Sequence, residues 1–341
     1  MAVGVAVLTT LAVACGGGDP PSAGGPPGPV TVRLGYFSNL THATALVGVE
    51  NGTFARALGS DRLKVSTFNA GPAAVEALFS EALDATYIGP NPAINAYVKS
   101  KGEAVRIISG ATSGGASLVV RPGIADAAGL KGAKIASPQL GGTQDVALRH
   151  WLRTQGLKTD VRGGGDVSVV PQENAQSLET FRTGAIDGAW VPEPWATRMV
   201  QEGGGRVLVD EASLWPDGRF VATHLIVRTE FLRKHPDAVR RLLEGQVEAD
   251  RFVNANPAEA QRLANQGIEK VTGKRLPEPL IQAAWRNLTF TNDPVAPSLP
   301  ASAAHATEAG LLEKVDLDGI YDLALLNQVL SAGGIQPVAA T

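Results

Sequence analysis

Polar turns follow five segments that are predicted to be β-strands. The turns are SNLTHA (38–43), GPNPA (89–93), SGATSGGA (109–116), PQLGGTQD (138–145) and PEPW (192–195). Four of the five lead into a predicted helix, whose first N–H groups have no partner within the helix. Such N-termini attract anions without Lys or Arg, and open parallel sheets bind ligands at the carboxyl ends of their strands. The turns therefore predict a cleft for a small anion.

The sequence lacks the common signatures of enzymes and metal sites. It contains no G-x-S-x-G, G-x-G-x-x-G, G-x-x-x-x-G-K-(S/T) or H-E-x-x-H motif. The five histidines, at positions 42, 150, 224, 235 and 305, show no spacing typical of metal ligands. We therefore predict a binding protein with no catalytic residue, no metal ion and no cofactor.

Strands and helices alternate along the chain, which predicts an α/β fold with mostly parallel sheets and helices on both faces. The segment from about 121 to 219 forms its own α/β unit between two strand-like runs, 116–120 and 220–228. A chain that leaves one lobe and returns to it gives this pattern, and the two crossing segments form a natural hinge. The expected limits are 30–118 plus 222–341 for lobe 1 and 119–221 for lobe 2.

The hydrophobic pattern predicts single helices over 42–58 and 229–254. It also predicts a strand over 105–110 that ends at the turn SGATSGGA.

The chain contains an internal near-repeat at a constant offset of 103 residues. ALDATYIGPNP (82–92) matches GAIDGAWVPEPW (184–195), so that Asp84 matches Asp187. Each copy predicts a helix, a turn, a short apolar strand and a turn marked by proline. Two such units suggest two similar lobes, although so short a turn motif could also recur by chance.

Length and composition suit two globular domains. The chain has 341 residues, of which 44% are apolar and 18% are charged. The net charge is −3 and no basic cluster occurs, which argues against a nucleic-acid partner.

The N-terminal segment 1–15 resembles a bacterial lipobox, with Cys15 as the lipidated residue. Residues 2–14 are an apolar run that is too short to span a bilayer but fits a secretory signal. Ala12 stands where a Leu is usual and no Lys or Arg precedes the run, so a plain secretory signal is the alternative. The Gly/Pro-rich segment 16–29 predicts a flexible tether that reaches roughly 20 Å.

Several motifs, in their order along the chain, resemble the solute-binding receptors of ABC importers in the nitrate, taurine and aliphatic-sulfonate family. The motifs are VRLGYFSNLTHATALVG, TFNAGPAAVEAL, ALDATYIGPNPAINAY, GLKGAKIASPQLGGTQDVALRHWL, GAIDGAWVPEPWA and VDLDGIYD. The resemblance covers about residues 30–335. It implies the two-lobed type II periplasmic-binding fold, whose lobes close like a hinge on one small ligand.

The resemblance implies ligand contacts at the residues that match the motifs of the family. They are Asn39, His42, Gly89, Asn91, Thr112, Ser113, Gly142, Thr143, Gln144, Glu193 and Trp195. Hydroxyls, amides and helix N-termini suit the three acceptor oxygens of a sulfonate. Glu193 would repel an anion, so we expect it either to cap its own helix or to meet the ammonium group of a zwitterion such as taurine.

The implied function is capture of a small organic anion, an aliphatic sulfonate or taurine, and its delivery to an ABC permease with its ATPase. We expect a monomeric, lipid-anchored receptor on the outer face of the cytoplasmic membrane. Nitrate, bicarbonate or a pyrimidine precursor of thiamine are alternative ligands, the last because Tyr87, Trp190 and Trp195 allow ring stacking. A pyrimidine-synthase-like enzyme is disfavoured because no Lys lies in the five turns, and an adhesion or sensor lipoprotein is a third alternative.

Overall fold

The computed structural model describes residues 1–2 and 28–340, which contain two β-sheets. The predicted lipidation residue Cys15, and most of the predicted tether 16–29, lie outside these residues. In the part of the chain that the structure describes, no helix combines the length and the apolar character needed to cross a membrane.

Strands are numbered in chain order. The first sheet contains β1 (Thr31–Phe37), β2 (Arg62–Phe68), β3 (Ala85–Ile88), β4 (Val105–Gly114), β10 (Val221–Arg228) and β11 (Leu288–Phe290). Across the sheet their order is β11-β4-β10-β3-β1-β2. The second sheet contains β5 (Ala116–Val120), β6 (Lys134–Ser137), β7 (Ser168–Pro171), β8 (Gly188–Pro192) and β9 (Arg206–Asp210). Their order is β7-β6-β8-β5-β9.

Helices cover both faces of the first sheet. Side chains of β10 alternate between the two faces, and Leu225 and Val227 belong to one buried cluster while Ile226 belongs to the other. The α-helices of the described chain are α1 (Ala43–Glu50), α2 (Thr53–Leu58), α3 (Gly71–Phe79), α4 (Pro90–Lys99), α5 (Thr143–Thr154), α6 (Asn174–Thr183), α7 (Trp195–Gln201), α8 (Thr229–Lys234), α9 (Pro236–Ala255), α10 (Pro257–Thr272), α11 (Glu278–Trp285), α12 (Ser298–Glu308) and α13 (Ala324–Ala332). The second sheet likewise packs into two buried apolar clusters.

Each sheet is part parallel and part antiparallel, whereas the sequence predicts mostly parallel sheets. In the first sheet β1 is parallel to β2 and β3, but β10 is antiparallel to β3 and β4. In the second sheet β6 is parallel to β7 and β8, but β5 is antiparallel to β8 and β9. The antiparallel strands β5 and β10 are those by which the chain crosses between sheets, so each enters its sheet from the opposite end.

The two copies of the internal repeat occupy equivalent places in the two sheets. β3 and β8 each lie between one parallel and one antiparallel neighbour. The Asp84 carboxylate accepts the backbone N–H of Arg33 at 2.9 Å, and the Asp187 carboxylate accepts that of Lys134 at 2.8 Å. The repeat therefore marks two structural units of the same design.

Three predicted elements differ from the structure. The helix predicted over 42–58 divides into α1 and α2 because Gly52 adopts a left-handed φ of 75°. The helix predicted over 229–254 divides into α8 and α9 before Pro236, which cannot donate a helical hydrogen bond. The predicted strand 105–110 continues to Gly114 because β10 and β11 pair with its two edges, so Thr112 and Ser113 lie in a strand and not in a turn.

The chain passes from the first sheet to the second at Gly115 and returns before Val221. The first passage precedes the predicted limit at 118/119, because all of β5 belongs to the second sheet. The limits of the lobes remain a prediction. Below, lobe 2 means Gly115–Phe220, and lobe 1 means the other residues from 28 to 340.

Candidate ligand-binding site

A cavity of about 40 Å³ lies between the two lobes, at the ends of strands from both sheets. Its lining consists of Phe37, Asn39, Thr41, His42, Asn69, Ala70, Gly71, Gly89, Pro92, Pro138, Gln139, Gly142, Thr143, Gln144, Asn174, Pro192 and Ala222. Among these residues are six that the sequence predicts to bind ligand, namely Asn39, His42, Gly89, Gly142, Thr143 and Gln144.

Equivalent positions of the two lobes meet at this cavity. Gly89 follows β3 and Pro192 ends β8, and the repeat offset of 103 residues relates them. The same offset relates Gly71, which begins α3, to Asn174, which begins α6. All four residues line the cavity. The internal repeat therefore places matching ends of strands and helices opposite each other.

Four helix N-termini border the cavity, two from each lobe. They belong to α3, α4, α5 and α6, and the residues that line the cavity there include Gly71, Gly89, Gly142 and Asn174. None of these four described helices has a hydrogen-bonding side chain at its N-cap. Uncapped N-termini carry partial positive charge and favour an anion, and α5 and α6, which have no proline in the first turn, offer more free N–H groups than α3 and α4.

Two buried atoms of the lining, Thr143 Oγ1 and Asn174 Oδ1, have no hydrogen-bond partner within the described protein. Thr143 is 8% exposed and Asn174 is 7% exposed. A buried polar group without a partner costs about 1–3 kcal/mol. The Thr143 hydroxyl can donate to an anion, whereas Asn174 Oδ1 only accepts and needs a donor from water or from an N–H group of a ligand.

Gly89 permits Thr143 to approach from the opposite lobe. A Cβ atom built at Gly89 would lie 2.2 Å from Thr143 Oγ1 and 3.3 Å from Thr143 Cβ. The φ of Gly89 is −71°, which any residue can adopt, so the requirement for glycine is steric. The distance between the lobes at this point depends on the absence of a side chain.

His42 is an uncharged hydrogen-bond donor in the lining. Its ring stacks on Phe37 with centroids 4.4 Å apart, and its Nδ1 accepts the N–H of Phe37 at 3.3 Å. Burial lowers the pKa of His42 to about 3, so the ring is neutral at physiological pH. Because Nδ1 accepts this hydrogen bond, Nε2 carries the hydrogen atom and can donate a hydrogen bond to a ligand.

No described residue of the lining carries a formal charge at neutral pH, because none is Lys, Arg, Asp or Glu and His42 is neutral. The cavity offers hydroxyl, amide and imidazole donors together with the partial charges of the helices. Such an arrangement can hold an anion by preorganised dipoles without a formal counter-charge.

Five residues that the sequence predicts as ligand contacts do not line the cavity, and Asn91, Thr112 and Ser113 are three of them. Asn91 Nδ2 donates to Ser302 O at 3.0 Å and ties α4 to α12. Thr112 Oγ1 donates to Thr41 O at 2.7 Å, which anchors a residue of the lining. Ser113 lies within β4, in register with β10 and β11.

Glu193 and Trp195 connect the lobes beside the cavity without lining it. The Glu193 carboxylate accepts Thr197 N at 3.1 Å, Thr197 Oγ1 at 2.9 Å and Asn287 Nδ2 at 2.7 Å. Burial raises the pKa of Glu193, although these hydrogen bonds act in the opposite direction. Of the two roles expected for Glu193, the structure shows the helix cap, on the first turn of α7. Trp195 Nε1 donates to Asn39 Oδ1 at 2.9 Å.

The five predicted turns do not include Asn69 and Asn174, which line the cavity. Asn69 lies between β2 and α3, and Asn174 begins α6 after β7. Both turns have the strand-to-helix pattern from which the other turns were predicted. The same rule applied to the strands at 63–69 and 166–170 finds both residues.

The described parts of the chain contain no group of three or more His, Cys, Asp or Glu side chains placed to hold a metal ion.

Two α/β lobes of matching sheet topology, joined by two crossing segments, form the type II periplasmic-binding fold. The nitrate-binding protein NrtA from Synechocystis PCC 6803 shares this fold, with a TM-score of 0.77, 18% identity and coverage of 89% of each chain. The alkanesulfonate-binding protein SsuA from Xanthomonas axonopodis pv. citri, bound to MOPS, gives a TM-score of 0.70 and 18% identity, covering 85% of this chain and 96% of that chain.

The chain belongs to the NMT1-like family, whose model matches residues 25–267. The taurine-binding periplasmic protein of Escherichia coli (strain K12) is 27% identical over 231 residues, which are 67% of this chain and 68% of that protein. A protein of Brucella abortus (strain 2308), whose name specifies binding but no ligand, is 28% identical over 234 residues, 68% of this chain and 69% of that protein.

Proposed function

We propose that this protein is the solute-binding receptor of an ABC importer, and that its lobes close on a small oxyanion, with an aliphatic sulfonate or taurine as first candidates. The observation that carries the proposal is the buried Thr143 hydroxyl, which lacks a partner at the uncapped N-terminus of α5. A hydroxyl and free N–H groups together bind an oxygen atom of an anion. No bond of the ligand is made or broken in this function.

The cavity has room for the head group of a small oxyanion. A water molecule needs about 10–15 Å³ of cavity volume, so 40 Å³ corresponds to roughly three water-sized groups. Three oxygens around a sulfur, nitrogen or carbon atom match that space. Sulfonate, nitrate and bicarbonate all satisfy this condition.

A groove next to the cavity supports a ligand that carries a tail. The groove has a volume of about 740 Å³ and shares Asn69, Ala70, Pro138 and Gln139 with the cavity. Its lining also includes apolar Phe68 and Val170 and the carboxylate of Glu173. A sulfonate head in the cavity could extend its chain into this groove, and the ammonium group of taurine would find a carboxylate there instead of at Glu193.

The importer role is supported by the relatives, of which one is named as taurine-binding and periplasmic. The relatives also support a location outside the cytoplasmic membrane, to which Cys15 would anchor the chain by a lipid. In this scheme ligand binding shifts the equilibrium from open to closed lobes, and the closed form docks on a permease. We propose that the receptor acts as a monomer.

Calorimetric titration of the purified protein with methanesulfonate, taurine, nitrate, bicarbonate and an aminopyrimidine tests the proposal. In the variant Thr143→Val, loss of one hydrogen bond to a charged ligand costs about 1.5–3 kcal/mol, or about a 10- to 150-fold weaker Kd. Thr44→Val is the matched control, because Thr44 Oγ1 is also buried without a partner but lies in α1 and not in the lining.

The proposal would be supported if the protein binds an oxyanion, and if Thr143→Val weakens that binding while Thr44→Val leaves it unchanged. Binding of the pyrimidine alone, or equal effects of the two variants, would contradict it.

A further inference from the structure

Trp195 forms a buried hydrogen bond across the lobes to a residue of the cavity. It begins α7 in lobe 2, and its indole Nε1 donates to Oδ1 of Asn39, which follows β1 in lobe 1. The distance is 2.9 Å, and both residues are less than a tenth exposed. Asn39 lines the cavity and Trp195 does not.

This hydrogen bond fixes which end of the Asn39 amide faces the ligand. The indole N–H group can only donate, so the amide atom that meets it must be the oxygen. The NH₂ group of Asn39 then points away from Trp195 and remains available as a donor. If the amide turned by 180°, its oxygen would replace the NH₂ group and would repel an anion.

Trp195 is itself held firmly against lobe 1. In the preceding turn, the N–H of Leu40 donates to Glu193 O at 2.9 Å, and Asn287 Nδ2 donates to the Glu193 carboxylate at 2.7 Å. The guanidinium of Arg198 lies 4.7 Å from the centre of the Trp195 ring. The turn that carries the indole is therefore hydrogen-bonded to lobe 1, while Arg198, on the same helix as Trp195, contacts the ring within lobe 2.

We propose that Trp195 is a positioning residue that makes the site select anions, because its hydrogen bond to Asn39 Oδ1 leaves the Asn39 NH₂ group to face the ligand. This inference rests on the proposed function and deepens it. Without this hydrogen bond the Asn39 amide would be free to turn either way. The ring of Trp195 supplies no direct contact to the ligand.

A double-mutant cycle between Trp195→Phe and Asn39→Ala, with nitrate and methanesulfonate titrated separately, tests the inference. Trp195→Phe keeps an aromatic ring and loses the N–H group, and we expect about tenfold weaker binding of the anion. In the Asn39→Ala background the same change should alter Kd by less than about twofold, because its only target is gone. Trp151→Phe, a buried tryptophan of lobe 2 outside the cavity, is the control and should leave Kd unchanged.

Equal losses from Trp195→Phe in both backgrounds would overturn the inference, because Trp195 would then act on the ligand or on closure without Asn39. Unchanged binding in Trp195→Phe alone would overturn it as well, while the proposed function would stand. A wild-type protein that binds none of methanesulfonate, taurine, nitrate and bicarbonate would instead refute the proposed function, and the inference with it.

Discussion

The contact between Gly89 and Thr143 gives the sharpest test of how the cavity is built. In Gly89→Ala the new Cβ atom would lie 2.2 Å from Thr143 Oγ1. An ordinary contact needs about 3.4 Å, so the two groups must separate by about 1.2 Å, the difference between 3.4 and 2.2. A hydrogen bond of about 2.9 Å from α5 to a ligand held by lobe 1 would lengthen to about 4.1 Å and would be lost.

The expected effect is therefore at least one lost hydrogen bond to a charged ligand. Such a bond contributes about 1.5–3 kcal/mol, which predicts a Kd about 10- to 150-fold weaker for methanesulfonate in calorimetric titration. The midpoint of thermal unfolding without ligand should stay within a few degrees, because φ at this position suits alanine. Gly123→Ala is the matched control, since a Cβ there meets no atom within 4 Å.

A second substitution distinguishes this steric explanation from general damage. In a Thr143→Ala background the Oγ1 atom is gone, and the nearest remaining atom of residue 143 is the Cβ at 3.3 Å. Gly89→Ala should then cost little further affinity. If Gly89→Ala lowers affinity by the same factor in both backgrounds, or binds like the wild type, the argument from lobe contact is refuted.

Two further predictions concern buried carboxylates. Burial raises the pKa of Asp250 to about 7. The folded state therefore keeps a proton on Asp250 that the unfolded state releases near pH 4. The free energy of unfolding consequently falls as the pH rises from about 4 to about 7. In urea unfolding, Asp250→Asn should reduce the loss of stability between pH 4 and pH 8 by roughly 2–4 kcal/mol. Glu248→Gln, an exposed position on the same helix, should not reduce it. Equal pH profiles for Asp250→Asn and the wild type would contradict the prediction. Glu193→Gln should leave the ratio of affinities for taurine and ethanesulfonate unchanged, because the Glu193 carboxylate is hydrogen-bonded to Thr197 and Asn287 outside the cavity. A selective loss of taurine binding in parallel titrations would instead identify Glu193 as the partner of the ammonium group.

The α/β alternation and the two-lobed arrangement follow from local sequence signals. Strand and helix periodicity is strong, and turns with Gly and Pro separate the elements. The repeat at 82–92 and 184–195 indicates two similar units, and the paired contacts of Asp84 and Asp187 reproduce that relation in space. These features can be read from short sequence patterns without knowledge of the tertiary contacts, so the sequence alone predicts them.

The features that sequence reasoning misses depend on distant partners. β4 extends past residue 110 only because β10 and β11, more than a hundred residues later, pair with its edges. The bonds of Glu193 to Asn287 and of Trp195 to Asn39 likewise join segments that no local pattern connects. Residue type identifies these side chains as important, but only the tertiary contacts show whether they face a ligand or support residues that do.

The departures between the two repeat copies explain how a symmetric fold makes an asymmetric site. At matching positions lobe 1 has Gly89 where lobe 2 has Pro192, and both line the cavity. Glycine lets Thr143 come close, while the Pro192–Trp195 turn instead binds lobe 1 through Glu193 and Trp195. One copy therefore provides the space for contact between the lobes and the other provides the hydrogen bonds that hold them together. A substitution in either turn should change how closely the lobes approach each other. Only the effect of a substitution at Gly89 should be rescued by the smaller side chain of Thr143→Ala.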